Sequence, residues 1–238
     1  MASPREPRSP RPGLKGQGLP LNRERVLSAA LEVIDAQGVA ALTMRRLGRE
    51  LGRDPMSLYR YTGNRCALLD AVAGHVMDDL PVLSGYGDWK GQLRLLAQEL
   101  RLVALRHPNV APLLLTRPLS TPLGLRPPGT LRPLENILSL LTAAGFRPAD
   151  TARGYRAFQA FLYGHILIEL QKYIVDPDED EPLLRLGLQR LPARAFPRLR
   201  ALAPAMAGYD GAGELDQGLD LLLTGLETQL APHPLSGK

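Results

Sequence analysis

The sequence predicts an all-α protein, and three observations support this fold class. Apolar residues recur three or four positions apart in most of the chain, which is the spacing of a helix buried along one face. Residue types that cap helices precede these segments, and glycines follow several of them. No stretch alternates apolar and polar residues clearly enough to be a β-strand. The pattern predicts a small N-terminal domain of three helices followed by a larger helical C-terminal domain.

The composition is that of an ordinary globular protein. The 238 residues are 45% hydrophobic and 22% charged, which allows one or two domains with a sizeable core. No apolar run approaches the ~20 residues that span a bilayer, and no secretory signal is recognisable, so we expect no membrane association. Cys66 is the only cysteine, which excludes an intramolecular disulfide and fits a reducing cytosol. This thiol and the four scattered histidines do not have the spacing of zinc ligands. We therefore expect no metal and no cofactor.

Residues 1–20 are predicted to form a disordered basic tail, because they are rich in Pro, Gly, Ser and Arg and have no hydrophobic period. The first helix begins after Asn22, a good N-cap, with Leu21 and Val26 placed to form a hydrophobic staple. Gly38 ends this helix. Its apolar stripe consists of Val26, Ala30, Val33 and Ile34.

The segment 43–65 predicts two short helices joined by a tight turn. Thr43 caps the first helix, and Gly52 stands where a left-handed C-cap would end it. Asp54 caps the second helix, and Pro55 occupies its first turn, where a missing N–H costs nothing. Together with the preceding helix, this pair has the layout of a helix-turn-helix, whose second helix enters the major groove of DNA.

The second helix of the pair carries side chains suited to DNA. Leu58 is its one aliphatic residue and should anchor the inner face, so that the other side chains point elsewhere. Arg60 can then fork onto guanine, and Pro55 and Met56 can contact a thymine methyl. Hydroxyls that can reach phosphate belong to Ser57, Tyr59 and Tyr61. Further positive charge comes from Arg45, Arg46, Arg49, Arg53 and Arg65. The alternative that this helix pair has only a structural role stays open. Many helix pairs with a glycine turn bind nothing, and an arginine-rich face is usually only solvated.

The net charge is divided unevenly along the chain. Residues 1–65 hold 12 Lys and Arg against 6 Asp and Glu, a net +6, whereas residues 66–238 hold 17 against 18, a net −1. This asymmetry predicts a polyanionic partner at the N-terminal end, although charge alone does not separate DNA from RNA or an anionic membrane. The basic residues of the tail, Arg5, Arg8, Arg11 and Lys15, allow two interpretations: a solubilising segment, or an arm that touches phosphate or the minor groove.

A fourth helix is predicted from Arg65, after the cap Asn64, to Leu80, before Pro81. Its apolar stripe is Leu68, Leu69, Val72 and Val76, and its aspartates at 70, 78 and 79 should face water. We therefore divide the chain into the tail 1–20, a helix-turn-helix domain 21–66 with a linking helix to about 80, and a C-terminal domain 81–238.

The C-terminal domain is predicted to be helical, with a long loop near its start. A helix from Asp88 to about His107 precedes a short apolar piece at 110–115. The proline-rich segment 116–129 is long for a loop in a compact domain, which predicts a functional or mobile segment. The remaining predicted helices are 130–144, 151–174 with Asp150 as its cap, 183–191, a poorly defined one within 192–206, and 214–230. The acidic segment 176–182 lacks the spacing of an EF-hand, so calcium binding is not expected.

Two of these helices have more apolar surface than one buried face requires. Helix 151–174 is apolar on more than one face, and helix 214–230 carries leucines three or four positions apart. Either they form the centre of the core, or they meet a second subunit.

Residues 21–80 resemble the TetR family of bacterial transcriptional regulators. The resemblance lies in G-x-x-x-L-T after the first helix, R-x-L-x-x-x-L-G through the turn, S-L-Y-R-Y in the recognition helix and N-R-x-A-L-L-D at the fourth helix. A weaker likeness to the tetracycline-repressor type of C-terminal domain lies in R-H-P at 106–108, T-R-P at 116–118, A-G-F at 144–146 and G-L-D-L-L-L-T-G-L-E near the end.

The resemblance implies a cytoplasmic bacterial homodimer that binds double-stranded operator DNA, most simply as a repressor. Helices about 151–174 and 214–230 of each subunit would form a four-helix bundle. A small molecule inside each C-terminal domain would shift the linking helix and change the spacing of the two recognition helices, which must stand ~34–36 Å apart or a multiple of this.

By position, the resemblance also implies particular contact residues. Those for DNA are Thr43, Met44, Arg45, Pro55, Met56, Ser57, Tyr59, Arg60, Tyr61 and Arg65. The sequence Arg53-Asp54-Pro55 departs from the small or apolar residues common in the family here, so base preference cannot be transferred from a relative.

The effector predicted from the resemblance is an unknown and largely apolar small molecule. Residues 113–115 are three leucines where tetracycline repressors carry the histidine that holds drug-bound magnesium, which argues against that ligand. The predicted pocket residues are Leu93, Leu96, Leu100, Leu113, Thr116, Leu134, Phe158 and Leu162, each of which also fits ordinary core packing. His165 is interpreted as a core or interface histidine rather than a ligand-binding one.

Two other functions stay open at this point. One is a helical enzyme with a basic appendage, although the chain has no paired histidines, HExxH, glycine-rich phosphate loop or serine elbow. The other is a membrane-surface or purely dimerising module, which binding to anionic vesicles but not to duplex DNA would indicate.

Overall fold

The computed structural model describes residues 20–78, 80–84, 87–120, 123–125, 128–174 and 181–229. Within these ranges the chain forms α-helices and two short 3-10 turns, Val39–Ala41 and Leu123–Leu125, and no strand, which confirms the all-α prediction. The helices are α1 (Arg23–Gln37), α2 (Met44–Leu51), α3 (Pro55–Thr62), α4 (Arg65–Met77), α5 (Trp89–Arg106), α6 (Ala111–Ser120), α7 (Pro128–Ala143), α8 (Pro148–Ile174), α9 (Glu181–Arg190), α10 (Pro197–Ala201), α11 (Ala203–Ala207) and α12 (Gly211–Gln229). The predicted tail and most of the acidic segment lie outside the described residues.

The first four helices begin at the predicted caps. Asn22 Oδ1 accepts a hydrogen bond from the Arg25 N–H at 2.8 Å, and the same arrangement recurs at Thr43, Asp54 and Asn64. Each cap satisfies one of the N–H groups that a helix leaves without an internal partner. The starts of α1 to α4 are therefore fixed by local sequence.

Helices α1 to α4 pack around one small core. Its fully buried side chains are Val26, Ala30, Ile34, Leu42, Leu47, Leu58, Leu68 and Val72. Leu58 anchors α3 as predicted, and Thr62 is buried beside it with its hydroxyl donating to the Leu58 carbonyl at 3.2 Å. Helix α4 ends at Met77 rather than at Leu80. Asp78, its C-cap, is exposed as predicted, but Asp70 is only partly exposed.

The C-terminal part is built around α8. This helix packs against α5, α7 and α12, and α12 also packs against α5. Phe158, Leu162, Ile166 and Leu170 of α8 are buried in this contact, together with Leu93 of α5. Leu215, Leu219, Leu223 and Leu226 of α12 are buried. The predicted leucine seam is confirmed at positions 215, 219 and 226, but Leu223 takes the place predicted for Leu222, which is only partly buried, and Leu230 lies outside the described residues.

Two predicted boundaries in the C-terminal part are wrong. The segment 116–129 is not one long loop, because α6 continues to Ser120 and α7 starts at Pro128. Helix α8 starts at Pro148, so Asp150 lies in its first turn and does not cap it. In both α7 and α8 a proline opens the helix, where its missing N–H is no loss and its fixed φ is favourable.

The helices between α8 and α12 form a group of their own. Helices α9, α10 and α11 pack mainly against one another, and α12 then begins at Gly211, earlier than predicted. Asp210 accepts from the Gly213 N–H at 3.1 Å and so caps α12. In the ranges that the structure describes, no helix has the length and apolar character needed to cross a membrane.

Candidate nucleic-acid interface and effector cavity

The turn between α2 and α3 holds the two helices in close contact. Gly52 adopts the left-handed conformation, with φ of 61° and ψ of 36°, and the Arg53 N–H donates to the Gly48 carbonyl at 2.9 Å. A Cβ on Gly48 would lie 2.8 Å from the Arg53 carbonyl oxygen and 3.2 Å from Pro55 Cγ. The close packing at Gly48 was not predicted from the sequence. The signal was present, because a glycine in the middle of a short helix before a turn indicates close backbone packing.

Helix α3 presents most of the predicted DNA-binding side chains on its outer side. Met56 is 74% exposed and Tyr59 is 41% exposed. Arg60 is also exposed, and its guanidinium lies 4.7 Å from the centre of the Tyr61 ring, a cation–π contact that restrains the arginine. Ser57 is half-buried, and its hydroxyl donates to the Asp54 carbonyl at 2.6 Å.

The predicted contacts from α2 are placed unevenly. Thr43 and Arg45 are exposed, but Met44 packs partly against the core. The Thr43 hydroxyl oxygen accepts from the Arg46 N–H at 3.1 Å while it caps α2. Around them, Arg49 and Arg53 are exposed and, like Arg45, make no ion pair within the described part of the chain. The surface beside α3 is therefore positively charged.

Two predicted DNA contacts, Tyr61 and Arg65, are engaged in internal hydrogen bonds. The Tyr61 hydroxyl donates to the Leu21 carbonyl at 2.9 Å. Arg65 donates from Nε to the Leu42 carbonyl at 3.0 Å and from Nη2 to the Val39 carbonyl at 2.9 Å. In this structure both side chains tie the helices together, and their contact with DNA stays a prediction.

The two parts of the chain are joined at a second place besides α4. His107 Nδ1, at the end of α5, lies 2.8 Å from Asp35 Oδ2 near the end of α1. Asn109 Nδ2 donates to the Asp35 carbonyl at 2.9 Å. These two side chains fix the end of α1 to the α5–α6 junction, an arrangement with no signature in the sequence.

A cavity lies between α4, α5, α7 and α8, and we call it the inner cavity. The space between its atoms is about 390 Å³, part of it open to solvent. Five predicted pocket residues line it: Leu96, Leu100, Leu134, Phe158 and Leu162. Met77 and Leu80, at the end of α4 and just beyond it, also line the inner cavity.

Three predicted pocket residues do not line the inner cavity. Leu93 and Leu113 are buried in the core. Thr116 is exposed, and its hydroxyl donates to the Pro112 carbonyl one turn earlier in α6, at 2.6 Å. The prediction assumed that α6 ended before Thr116, and the continued helix turns this side chain outward.

A buried ionic cluster ties α5, α8 and the start of α12 together. Arg101 Nε donates to Glu169 Oε2 at 2.8 Å, and His165 Nε2 lies 2.9 Å from the Gly211 carbonyl, to which it donates. The Tyr209 hydroxyl lies 3.4 Å from the same His165 nitrogen. His165 thus has the hydrogen bonding of a core histidine, as predicted. Burial, and then the negative charge of Glu169, raises the pKa of Tyr209 to about 12.

The two helices predicted to form a dimer bundle carry exposed apolar side chains. Ile168 on α8 is 66% exposed, and Leu221 on α12 is 79% exposed. Since α8 and α12 pack against each other, these side chains belong to one helix pair whose inner side is already buried. The pairing of subunits through them stays a prediction.

A capped helix-turn-helix with an arginine-rich outer side, joined to a helical domain with an internal cavity, defines a DNA-binding transcriptional regulator that responds to a ligand. Residues 26–72 match the family model described as bacterial regulatory proteins of the tetR family, and residues 80–230 match the tetracyclin repressor-like C-terminal domain. The chain belongs to the TetR family of bacterial transcriptional regulators.

Individual relatives agree with this family membership. An HTH-type transcriptional regulator of Saccharopolyspora erythraea is 34% identical over 213 residues, covering 87% of this chain and 84% of the relative. The class D tetracycline repressor of Escherichia coli is 32% identical over 222 residues, covering 88% of this chain and 91% of the relative. The solved structure of the TetR family protein ActR from Streptomyces coelicolor, in complex with actinorhodin, is similar with a TM-score of 0.75. It is 29% identical and covers 90% of this chain and 100% of that one.

Proposed function

We propose that the protein is a homodimeric repressor that binds operator DNA through α3 and whose operator affinity is changed by a small molecule in the inner cavity. One observation carries this proposal. Met77 at the end of α4 lines the inner cavity, while the rest of the same helix packs against α1 and α3. A ligand that displaces the end of α4 therefore acts on the helix that positions α3. This is how a regulator of this family can lose or gain operator affinity without a change in any base contact.

In this proposal the domains have separate tasks. Residues 21–66 read DNA, the linking helix α4 and the segment to about 80 transmit the change, and residues 81–238 bind the ligand and the second subunit. The family matches at 26–72 and 80–230 support this division. The DNA that the protein would bind places it in the bacterial cytoplasm.

The predicted DNA contacts also have separate tasks. Arg60, Met56 and Pro55 are proposed to meet base edges, because they lie on α3 and bases are read from the major groove. Thr43, Arg45, Ser57 and Tyr59 are proposed to contact phosphate. Tyr61 and Arg65 are proposed to act mainly through their internal hydrogen bonds, which set the position of α3. Met44, which is half-buried, is proposed to contact the backbone only at its exposed edge.

The test begins with selection of genomic DNA fragments retained by the purified protein. Titration of a retained duplex should show an affinity that falls steeply as salt rises, since phosphate contacts release counterions. Arg60→Ala should relax base preference at one operator position by about 1–3 kcal/mol. Arg190→Ala, a change at an exposed arginine of α9, is the matched control and should leave both properties unchanged. Unchanged base preference in Arg60→Ala would contradict the assignment of α3.

A further inference from the structure

A second cavity adjoins the inner cavity, and we call it the outer cavity. It encloses about 560 Å³, part of it open to solvent. The two cavities share the side chains of Met77, Leu80, Leu96 and Pro133, so they lie next to each other. A molecule bound in one cavity would therefore lie beside the other.

The two cavities differ in the chemistry of their walls. The inner cavity is lined mainly by aliphatic and aromatic side chains, among them Leu100, Ile137 and Phe158. The outer cavity adds Arg132 and Asn136, both on α7, and Asp78 at the end of α4. The inner cavity is thus the more apolar of the two, and the outer cavity is the more polar.

The polar groups on α7 are available to a ligand. Neither Arg132 nor Asn136 makes a hydrogen bond or an ion pair within the described part of the chain. Asn136 is half-buried, so part of its surface is open to a ligand. The two residues are four positions apart on one helix, so their side chains lie next to each other on the same face.

We propose that the effector is an amphipathic small molecule with an apolar body and one anionic group. The body occupies the inner cavity, and the anion, a carboxylate or a similar group, binds Arg132 and accepts a hydrogen bond from the Asn136 amide. A guanidinium binds a carboxylate through two parallel N–H donors, which fixes orientation as well as charge. This inference rests on the proposed function, because it takes the inner cavity as the effector site.

Asp78 also lines the outer cavity and gives the proposal a second consequence. Its carboxylate repels an anion at Arg132, so the anionic group must lie against α7, away from the end of α4. Asp78→Asn removes this repulsion and should strengthen the binding of an anionic ligand without affecting a neutral one.

Two fluorescent probes of nearly the same shape test the proposal in the full-length protein. 1-Anilinonaphthalene-8-sulfonate is anionic, and N-phenyl-1-naphthylamine is the same ring system without the sulfonate. Wild-type protein should bind the anionic probe more tightly. Arg132→Gln should lower the affinity for the anionic probe roughly 5- to 10-fold, as expected for a partly exposed charge-assisted contact. The affinity for the neutral probe should stay within about twofold of the wild-type value. Arg190→Ala is the matched control and should change neither affinity.

A blocking variant separates this inference from the proposed function. Leu134→Trp fills the inner cavity and should lower the affinity for both probes. The far-ultraviolet circular dichroism spectrum of this variant should be like that of wild type. If Leu134→Trp lowers the affinity for both probes but Arg132→Gln and Asp78→Asn do not change the affinity for the anionic probe, the proposed anion site is wrong. The assignment of the inner cavity as the effector site is then still supported. If Leu134→Trp folds and leaves both affinities unchanged, the inner cavity is not the binding site, and the proposed function loses its effector site as well.

Discussion

At the scale of single residues, the Tyr209 hydroxyl has the clearest electrostatic environment in the described chain. It lies beside the buried Arg101–Glu169 ion pair and 3.4 Å from His165. Its pKa rises from 10.0 to about 12, first because burial disfavours the phenolate and then because Glu169 and Glu214 repel it. Ionisation of Tyr209 would place a third negative charge next to two carboxylates, so this side chain is neutral wherever the protein is folded near neutral pH.

The raised pKa of Tyr209 predicts a loss of stability in alkali. Between about pH 10 and about pH 12 the folded protein keeps a proton that the unfolded chain releases, so the free energy of unfolding falls as pH rises through this window. Tyr209→Phe cannot release this proton. Its stability relative to wild type should therefore improve steadily from pH 9 to pH 11.5, measured by urea unfolding at each pH. Tyr59→Phe, at an exposed tyrosine of α3, is the matched control, and parallel pH profiles for wild type and Tyr209→Phe would contradict the prediction.

The residues of the candidate DNA interface were only partly predictable from the sequence. The outward side of α3 was predicted correctly because Leu58 is its one aliphatic residue, which leaves a single choice of buried face. The internal hydrogen bonds of Tyr61 and Arg65 were not predictable. Their acceptors are main-chain carbonyls 40, 23 and 26 positions away, and a carbonyl group is the same at every residue, so it leaves no trace in the sequence.

At the scale of secondary structure, Gly48 sets the distance between α2 and α3. A Cβ at this position would lie 2.8 Å from a backbone oxygen, closer than real Cβ atoms come, and 3.2 Å from the Pro55 ring. Neither the carbonyl of Arg53 nor the proline ring can move without displacing the start of α3. The glycine therefore fixes the angle at which α3 is presented.

Gly48→Ala should destabilise the protein and weaken operator binding. The alanine gains about 1 kcal/mol of helix propensity, but the overlap costs about 1–3 kcal/mol, so we expect a net loss of up to about 2 kcal/mol. Gly74→Ala in α4 is the matched control, because a Cβ there meets nothing within 4 Å. It should stabilise the protein by about 0.5–1 kcal/mol. Urea unfolding measures both changes, and stabilisation by Gly48→Ala equal to that of Gly74→Ala would show that α2 and α3 are not in close contact.

Helix starts were predicted correctly for α1 to α4, where a side chain caps the helix, and were missed for α7 and α8, which both begin at a proline. The starts of α1 to α4 follow from Asn22, Thr43, Asp54 and Asn64, whose side chains accept hydrogen bonds from the helix backbone. The segment 116–129 was interpreted as a loop because it is rich in proline. Proline is also favourable in the first turn of a helix, and only the surrounding tertiary structure decides between the two outcomes.

At the scale of the whole molecule, two connections join the N-terminal helical domain to the C-terminal helical domain. The first is α4, which packs against α1 and α3 and also against α6 and α7. The second is the pair of contacts from His107 and Asn109 to Asp35. Both connections therefore hold the same small domain. The positive charge collected in residues 1–65 leads us to expect that this part of the chain meets the DNA.

Dimer formation through α8 and α12 is the remaining property of the whole molecule that the proposal needs. A leucine that is 79% exposed in the middle of a helix, as Leu221 is, exposes apolar surface that a second subunit would cover. In a two-fold symmetric interface every contact occurs twice, so one substitution changes the interface twice. Leu221→Asp should therefore convert a particle of twice 26.0 kDa into one of 26.0 kDa, measured by light scattering after gel filtration.

Loss of the dimer should also remove most of the operator affinity. A dimer holds its second α3 at a high effective concentration near the second half-site, and losing this linkage costs roughly 100-fold or more in affinity. Leu221→Asp should show this loss on a two-half-site duplex while its helical content stays that of wild type. Leu102→Asp, at a leucine of α5 that is 46% exposed, is the matched control and should remain dimeric with full affinity. If Leu221→Asp stayed dimeric with full affinity, the subunits would have to meet through another surface, and the spacing of the two copies of α3 would need a different explanation.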